Sequence, residues 1–184
     1  AAVAQSLAPR TFHRRLVERL RGGARGGPRP RLRHRVDGGL RAAAGALGLA
    51  QGHEAAVLPA LLSALQDDAW QVREEAAATL GKLRLSDSVE PLVDALSDGY
   101  WQVRLIAARA LGRLRDRRAT GPLVRHALSH DMVNLRKEAA IALGEIGDAE
   151  ALPALRIAAE DADPEVRKMA RLAMTQIAAK HAPA

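Results

Sequence analysis

The sequence predicts an all-α protein, a right-handed α-solenoid of stacked antiparallel helix pairs, and three observations carry that reading. A phrase of eight residues returns four times, at residues 76–83 (AAATLGKL), 107–114 (AARALGRL), 139–146 (AAIALGEI) and 170–177 (ARLAMTQI). An arginine marks the same point ahead of each copy, Arg73, Arg104, Arg136 and Arg167, at intervals of 31, 32 and 31 residues. Apolar residues recur around that arginine at helical spacing. A period in this range belongs to stacked supersecondary units, none of which can bury its apolar face alone.

The elements follow from offsets to the arginine. Twelve positions before it stand Leu61, Leu92, Val124 and Leu155, and eight before it Leu65, Leu96, Leu128 and Ala159, the column of a first helix. A short polar turn follows (DDA, SDGY, SHDM or DAD), whose aspartates can accept from the free N–H groups that open the second helix. Asp163 followed by Pro164 is the clearest such start. The second helix carries Val72, Val103, Leu135 and Val166 just before the arginine, and Ala76, Ala107, Ala139 and Ala170 three after it. Leu80, Leu111, Leu143 and Met174 come seven after, and Leu83, Leu114, Ile146 and Ile177 ten after, one helical stripe.

With its Arg, Ala-Ala and Ala-Leu-Gly positions, this second helix resembles that of the HEAT-like repeat family, in the short form of bilin-lyase-related proteins (D-x-VR-xx-AA-x-ALG-x-L). The resemblance spans roughly residues 55–179. The period is shorter than the HEAT length of about 40 to 47 residues, which predicts tight turns. The expected organisation is a solenoid over 39–179, with a degenerate half-repeat at 39–54 and repeats at 55–88, 89–119, 120–150 and 151–179. Residues 180–184 form a tail. The half-repeat rests on LRAAAGALGLA at 40–50, where Leu47–Gly48 precede Leu80–Gly81 by 33 residues. Residues 6–20 either supply its missing first helix or form a cap.

The resemblance also implies a structural role for the acid–arginine pairs. Asp67, Asp98 and Asp161 precede the repeat arginine by six residues, with His130 in the third slot. Such residues make a ladder from turn to turn, and a guanidinium can bond two acceptors at once. Gly81, Gly112 and Gly144 lie inside the second helices, where glycine costs about 1 kcal/mol against alanine, so close helix approach must explain them. In the last repeat glycine becomes Thr175 and the alanine of Ala77, Ala108 and Ala140 becomes Arg171. Charge where a further repeat would pack predicts a capped end, with residues 178–184 fraying.

Composition limits function. Of 184 residues 48% are hydrophobic, but alanine and leucine supply them and only four residues are aromatic, as thin stacked helices require. The absence of cysteine excludes disulfides, iron–sulfur ligation and thiol catalysis. No apolar run approaches the roughly 18 residues of a membrane span, which predicts a soluble, cytoplasmic protein, with organellar import the alternative. Residues 1–41 hold eleven arginines against Glu18 and Asp37, a balance of +9, so the rest of the +7 chain carries 7 − 9 = −2. Residues 1–38 thus read as a basic N-terminal helix or arm with a Gly/Arg/Pro linker, presenting Arg14, Arg15, Arg21, Arg25, Arg29, Arg31, Arg33 and Arg35. Such an arm can dock on an acidic protein, neutralise phosphates or serve as a transit segment. Base-composition bias of the coding DNA is a further alternative, since arginine far outnumbers lysine throughout. Only Phe12 interleaves with the arginines, which disfavours stacking on bases.

No catalytic, cofactor or metal residue is expected. The di-iron chemistry of HEAT-like deoxyhypusine hydroxylases needs a His–Glu pair opening several second helices. The matching positions here are Glu74–Glu75, Leu105–Ile106, Lys137–Glu138 and Lys168–Met169. His126 and His130 share a helix with Asp131 adjacent, but two ligands on a surface helix without a fixed third make a weak metal site, and a helix C-terminus suits histidine by itself.

Two candidate surfaces remain. Trp70 and Trp101 fill the same slot, their indoles packing across the turns or, with Tyr100, forming a binding edge. At offsets one, two and five after the arginine, usually polar and facing the concave groove in related solenoids, stand Leu105, Ile106, Ile141, Met169 and Leu172. Bordered by Arg109, Arg113, Lys137 and Lys168, they predict a groove for an acidic or amphipathic protein partner. The competing expectation is that some rotate into the core. The leading function is therefore a non-catalytic protein-interaction module, an adaptor, assembly factor or accessory subunit, with the arm as second contact. A bilin-lyase-like subunit handling a tetrapyrrole or its acceptor protein, implied by the resemblance, is one alternative. Nucleic-acid binding, as in the DNA glycosylases built on HEAT-like repeats, is another; no residue matches their active site.

Overall fold

The computed structural model of the chain describes residues 54–182, so the arginine arm and nearly all of the half-repeat lie outside the described residues. Contacts divide the chain into two compact units, Ala1–Thr79 and Leu80–Ala184, with the boundary inside a helix. Among the described residues every regular element is helical.

In the first unit, α1 (Glu54–Ala64) and α2 (Trp70–Leu83, as far as Thr79) bury Ala60, Leu61, Val72, Ala76 and Ala77. The turn between them closes on itself. Asp67 Oδ1 accepts from the N–H of Ala69 at 2.9 Å, and Arg73 Nη1 donates to the carbonyls of Asp67 and Asp68 at 2.6 and 3.2 Å.

The second unit continues with α3 (Val89–Ala95), α4 (Trp101–Leu114), α5 (Thr120–Leu123), α6 (Val133–Ile146), α7 (Leu152–Ala158) and α8 (Pro164–Lys180). Each pair opens with a 3₁₀ turn, at Ser86–Ser88, Arg117–Ala119 and Ala149–Ala151. Pro91, Pro122 and Pro153 fall within the first three residues of α3, α5 and α7, where the missing N–H would have had no helical partner. The predicted stripe is the core: Val103, Leu135, Val166, Ala107, Ala139, Ala170, Leu111, Leu143 and Ile177 are all fully buried. Removing a leucine of this class from water contributes about 1.5–3 kcal/mol.

The second helices touch through small residues. A Cβ on Gly81 would lie 2.8 Å from Ala110 Cα, one on Gly112 2.7 Å from Ala142 Cα, and one on Gly144 3.0 Å from Ala173 Cα. Alanine six residues after the repeat arginine therefore receives the glycine that comes eight after the preceding one. This explains glycine in mid-helix by backbone approach, against its propensity cost.

Repeat three carries the extra residue of the 32-residue interval. Val124–Leu128 is a π-turn, which takes up one residue more than an α-turn. The expected core position Val124 is consequently displaced: Leu123 is fully buried and Val124 only half-buried. From Leu128 onward the register is restored, with Leu128 6% exposed.

One detail of the turns and one of the last helix differ from expectation. Asp98 Oδ1 and Asp161 Oδ1 bond the N–H groups of Tyr100 and Asp163, at 2.8 Å each, within the turn and not at the second helix. Asp163 does cap α8, accepting from Glu165 and Val166 at 2.9 and 3.2 Å. At the other end, α8 continues through Lys180 in place of fraying from Ala178. There Lys180 Nζ donates to the last carbonyls of α6, Glu145 at 2.8 Å and Ile146 at 3.2 Å, where a cation complements the helix dipole.

Candidate protein-interaction surface

The repeat arginines are scaffold. Arg104, Arg136 and Arg167 each donate from Nη1 to a carbonyl of their own turn, at Asp98, His130 and Asp161, over 2.7 to 3.0 Å. Arg136 alone among these three also clasps the next repeat, through Asp161. That pairing holds the Asp161 carboxyl below its usual range, first by the Arg136 hydrogen bonds and next by the N–H of Asp163. His130 stands in the ladder slot of its turn and caps it as an aspartate would, Nδ1 accepting from the N–H of Met132 at 3.0 Å. This local bond gives His130 a structural role in its turn.

The groove residues are distributed unevenly. Leu105, Ile106, Ile141 and Met169 are half-buried, so each shares its surface between neighbouring helices and solvent. Leu172 is 50% exposed. The basic border differs from expectation at Arg109. Its Nε and Nη2 donate to Glu138 Oε1 and Oε2 at 2.9 and 2.8 Å, joining α4 to α6 across the stack. Glu138 is buried, and a buried carboxylate needs such a partner. These hydrogen bonds raise the Arg109 guanidinium above its ordinary value against the desolvation that opposes it. Arg109 is thus neutralised within the chain. Lys168 is exposed, 3.8 Å from Glu165, while Arg113 and Lys137 are half-buried.

At the turn edge, Tyr100 is 48% and Trp101 45% exposed, and Val133, in the Trp101 slot of the next repeat, is 37% exposed. Trp70, in the first unit, is half-buried. Sequence reasoning did not anticipate the Arg109–Glu138 pair. The signal available was an arginine at offset five facing a glutamate at offset two of the next repeat, which adjacent helices bring together. Among the described residues no three His, Asp or Glu side chains converge as metal ligands, and no helix is long and apolar enough to cross a membrane.

Stacked helix pairs joined by tight turns and glycine–alanine contacts define an α-solenoid. The HEAT-repeat profile matches residues 29–104 and 89–175, and the chain belongs to the HEAT-repeat family. That match begins ten residues upstream of the expected half-repeat (29 against 39). Among solved structures, the chain is 25% identical, with a TM-score of 0.62, to a chain in the complex of CpcE and CpcF of phycocyanin lyase from Nostoc sp. PCC7120, covering 96% of this chain and 67% of that one. It is also similar to a chain of the Pds5–Scc1 complex (14% identity, TM-score 0.69, 94% of this chain and 30% of that one). A third likeness is to a designed armadillo repeat protein in complex with the peptide (KR)4 (21% identity, TM-score 0.58, 94% and 95%). No match is found among curated protein sequences.

Proposed function

We propose that the chain is a non-catalytic protein-interaction module, an adaptor, assembly factor or accessory subunit, whose second helices receive a partner along Leu105, Ile106, Ile141, Met169 and Leu172. The observation that carries this reading is the exposure of large apolar side chains at positions the stack does not need, Leu172 at 50% and Trp101 at 45%. Exposed anchors of this kind, flanked by polar residues, suit a partner with a complementary apolar face. The cations left to greet an acidic rim are Lys168, Lys137 and Arg113, with the basic arm as a second contact; Arg109 is committed to Glu138.

The test is co-purification from the native source followed by mass spectrometry, comparing the wild-type chain with Leu172→Asp. Loss of a specific partner with unchanged helical circular dichroism and melting temperature supports the groove. Retention by Leu172→Asp but loss by Trp101→Ala moves the contact to the turn edge. Ile106→Asp or Met169→Asp unfolding the protein assigns those half-buried residues to the core.

A second reading, a subunit of a bilin-lyase-type complex, draws on the likeness to the phycocyanin lyase chain. It predicts that the chain, with a bilin and its acceptor protein, shifts the bilin's absorption; an unchanged spectrum removes it.

A further inference from the structure

The ladder is broken at one rung. Between repeats three and four, the Arg136 guanidinium takes both oxygens of Asp161, at 2.8 and 3.0 Å. One repeat earlier the same position faces His130, which offers no carboxylate, and its one acceptor nitrogen is used by Met132. Arg104 Nη1 reaches its own turn at Asp98, but its Nε is buried and has no partner among the described residues. A buried donor left unmade is a cost that proteins rarely leave standing.

A cavity of about 380 Å3 lies at this rung, lined among others by Arg104, Arg125, His126, Ser129, His130 and Asp131. Its size is at the lower end of what small ligands occupy. Arg125 and His126 belong to the π-turn, so the inserted residue and the missing acid occur in the same repeat. Because His130 Nδ1 accepts from Met132, its proton sits on Nε2, which is a donor. Two guanidiniums and two imidazoles stand against the single carboxylate of Asp131.

We propose that this cavity binds a carboxylate, which takes the place that Asp161 holds in the next rung. The geometry favours a planar, two-oxygen anion, since that is what the equivalent guanidinium binds through Nε and Nη2. Arg104 supplies the fork once the side chains that cover its Nε part, Arg125 supplies the surrounding positive charge, and His130 Nε2 supplies a neutral donor. The carboxylate comes either from an aspartate or glutamate of a bound polypeptide or from a free small acid. The proposal stands apart from the groove on the second helices, because the site is read at Arg104 itself.

The test is nuclear magnetic resonance of the Arg104 Nε–H group in the full chain, titrated separately with acetate, a glutamate-containing peptide and inorganic phosphate. Expected is a saturable downfield shift with acetate and with the peptide, millimolar for acetate, weakened about tenfold in Arg125→Ala, the loss of one charge-assisted contact. His130→Asp, which rebuilds the rung from within, abolishes the shift and raises the melting temperature. Tighter binding of the peptide than of acetate assigns the carboxylate to a polypeptide, and equal binding to a free acid. The proposal is overturned if neither carboxylate moves the resonance, if phosphate alone does so, or if His130→Asp binds acetate as the wild type does.

Discussion

Arg136 and Asp161, 25 residues apart, join the turns of consecutive repeats through two parallel hydrogen bonds, while Arg136 Nη1 holds the carbonyls of His130 and Asp131 at 3.0 and 2.8 Å. One side chain thus fixes its own turn and positions the next. Both partners are mostly shielded, 16% and 14% exposed, so the pair counts for more than a surface ion pair.

Asp161→Asn should lower unfolding stability by about 1.5–3 kcal/mol, the range for hydrogen bonds to charged groups. The effect depends on pH. The folded Asp161 carboxyl is depressed, so its contribution is fully present above the ordinary aspartate value of about 4 and is lost as pH falls through the folded value. Melting curves should show the gap between wild type and Asp161→Asn closing below about pH 4; a gap that stays constant would contradict the assignment.

Gly112→Ala should destabilise by about 1–3 kcal/mol, although alanine is the better helix former by about 1 kcal/mol. The added Cβ would sit 2.7 Å from Ala142 Cα, and backbone does not give way as a flexible side chain would. Urea denaturation measures this directly, and a stabilised variant would show that the helices can part at little cost.

Arg115→Gly should stabilise by roughly 0.5–1 kcal/mol. Arg115 closes α4 in the left-handed region at φ 55°, which costs a non-glycine residue about 1–2 kcal/mol, partly offset by the added flexibility of glycine when unfolded. The same place at the end of α6 is held by Gly147, φ 74°. Equal melting temperatures for the two forms would speak against strain there.

Thr120→Val should cost about 1–3 kcal/mol. Thr120 Oγ1 donates to Asp148 Oδ2 at 2.9 Å, and both residues are buried at 3% and 5% exposure, so valine leaves an acid oxygen unsatisfied at the start of the next repeat. Thr120→Ser, keeping the hydroxyl, should recover most of the loss in the same thermal melt.

The second helices were legible because every one of their columns must meet a neighbour. Val72, Val103, Leu135 and Val166 are buried without exception, and the alanines three positions on likewise. Val124 was misread because a count from the arginine passes through the inserted residue. Ala110, Ala142 and Ala173 hide among many alanines, and only the contact with Gly81, Gly112 and Gly144 singles them out. The candidate surface was less legible. Arg109 and Glu138 are 29 residues apart, and a linear pattern shows an arginine's charge but not which acid will quench it. Leu105, Ile106 and Met169 come out half-buried because offsets one and two border the stripe on a 3.6-residue helix, where a side chain serves core and surface together.

The π-turn at Val124–Leu128 absorbs a residue inside one helix, leaving the 3₁₀ turn before it and the arginine after it in step with their counterparts. Chain length and stacking geometry are thereby uncoupled: this fold counts contacts, and tolerates an error of one in counting letters. A search that demands a strict period would set the first helix of repeat three one residue out of step, although its second helix, α6, has both neighbours pressed against it. In proteins of this kind the places where the spacing stutters are where an element has been re-aimed, and they repay inspection before the regular copies do.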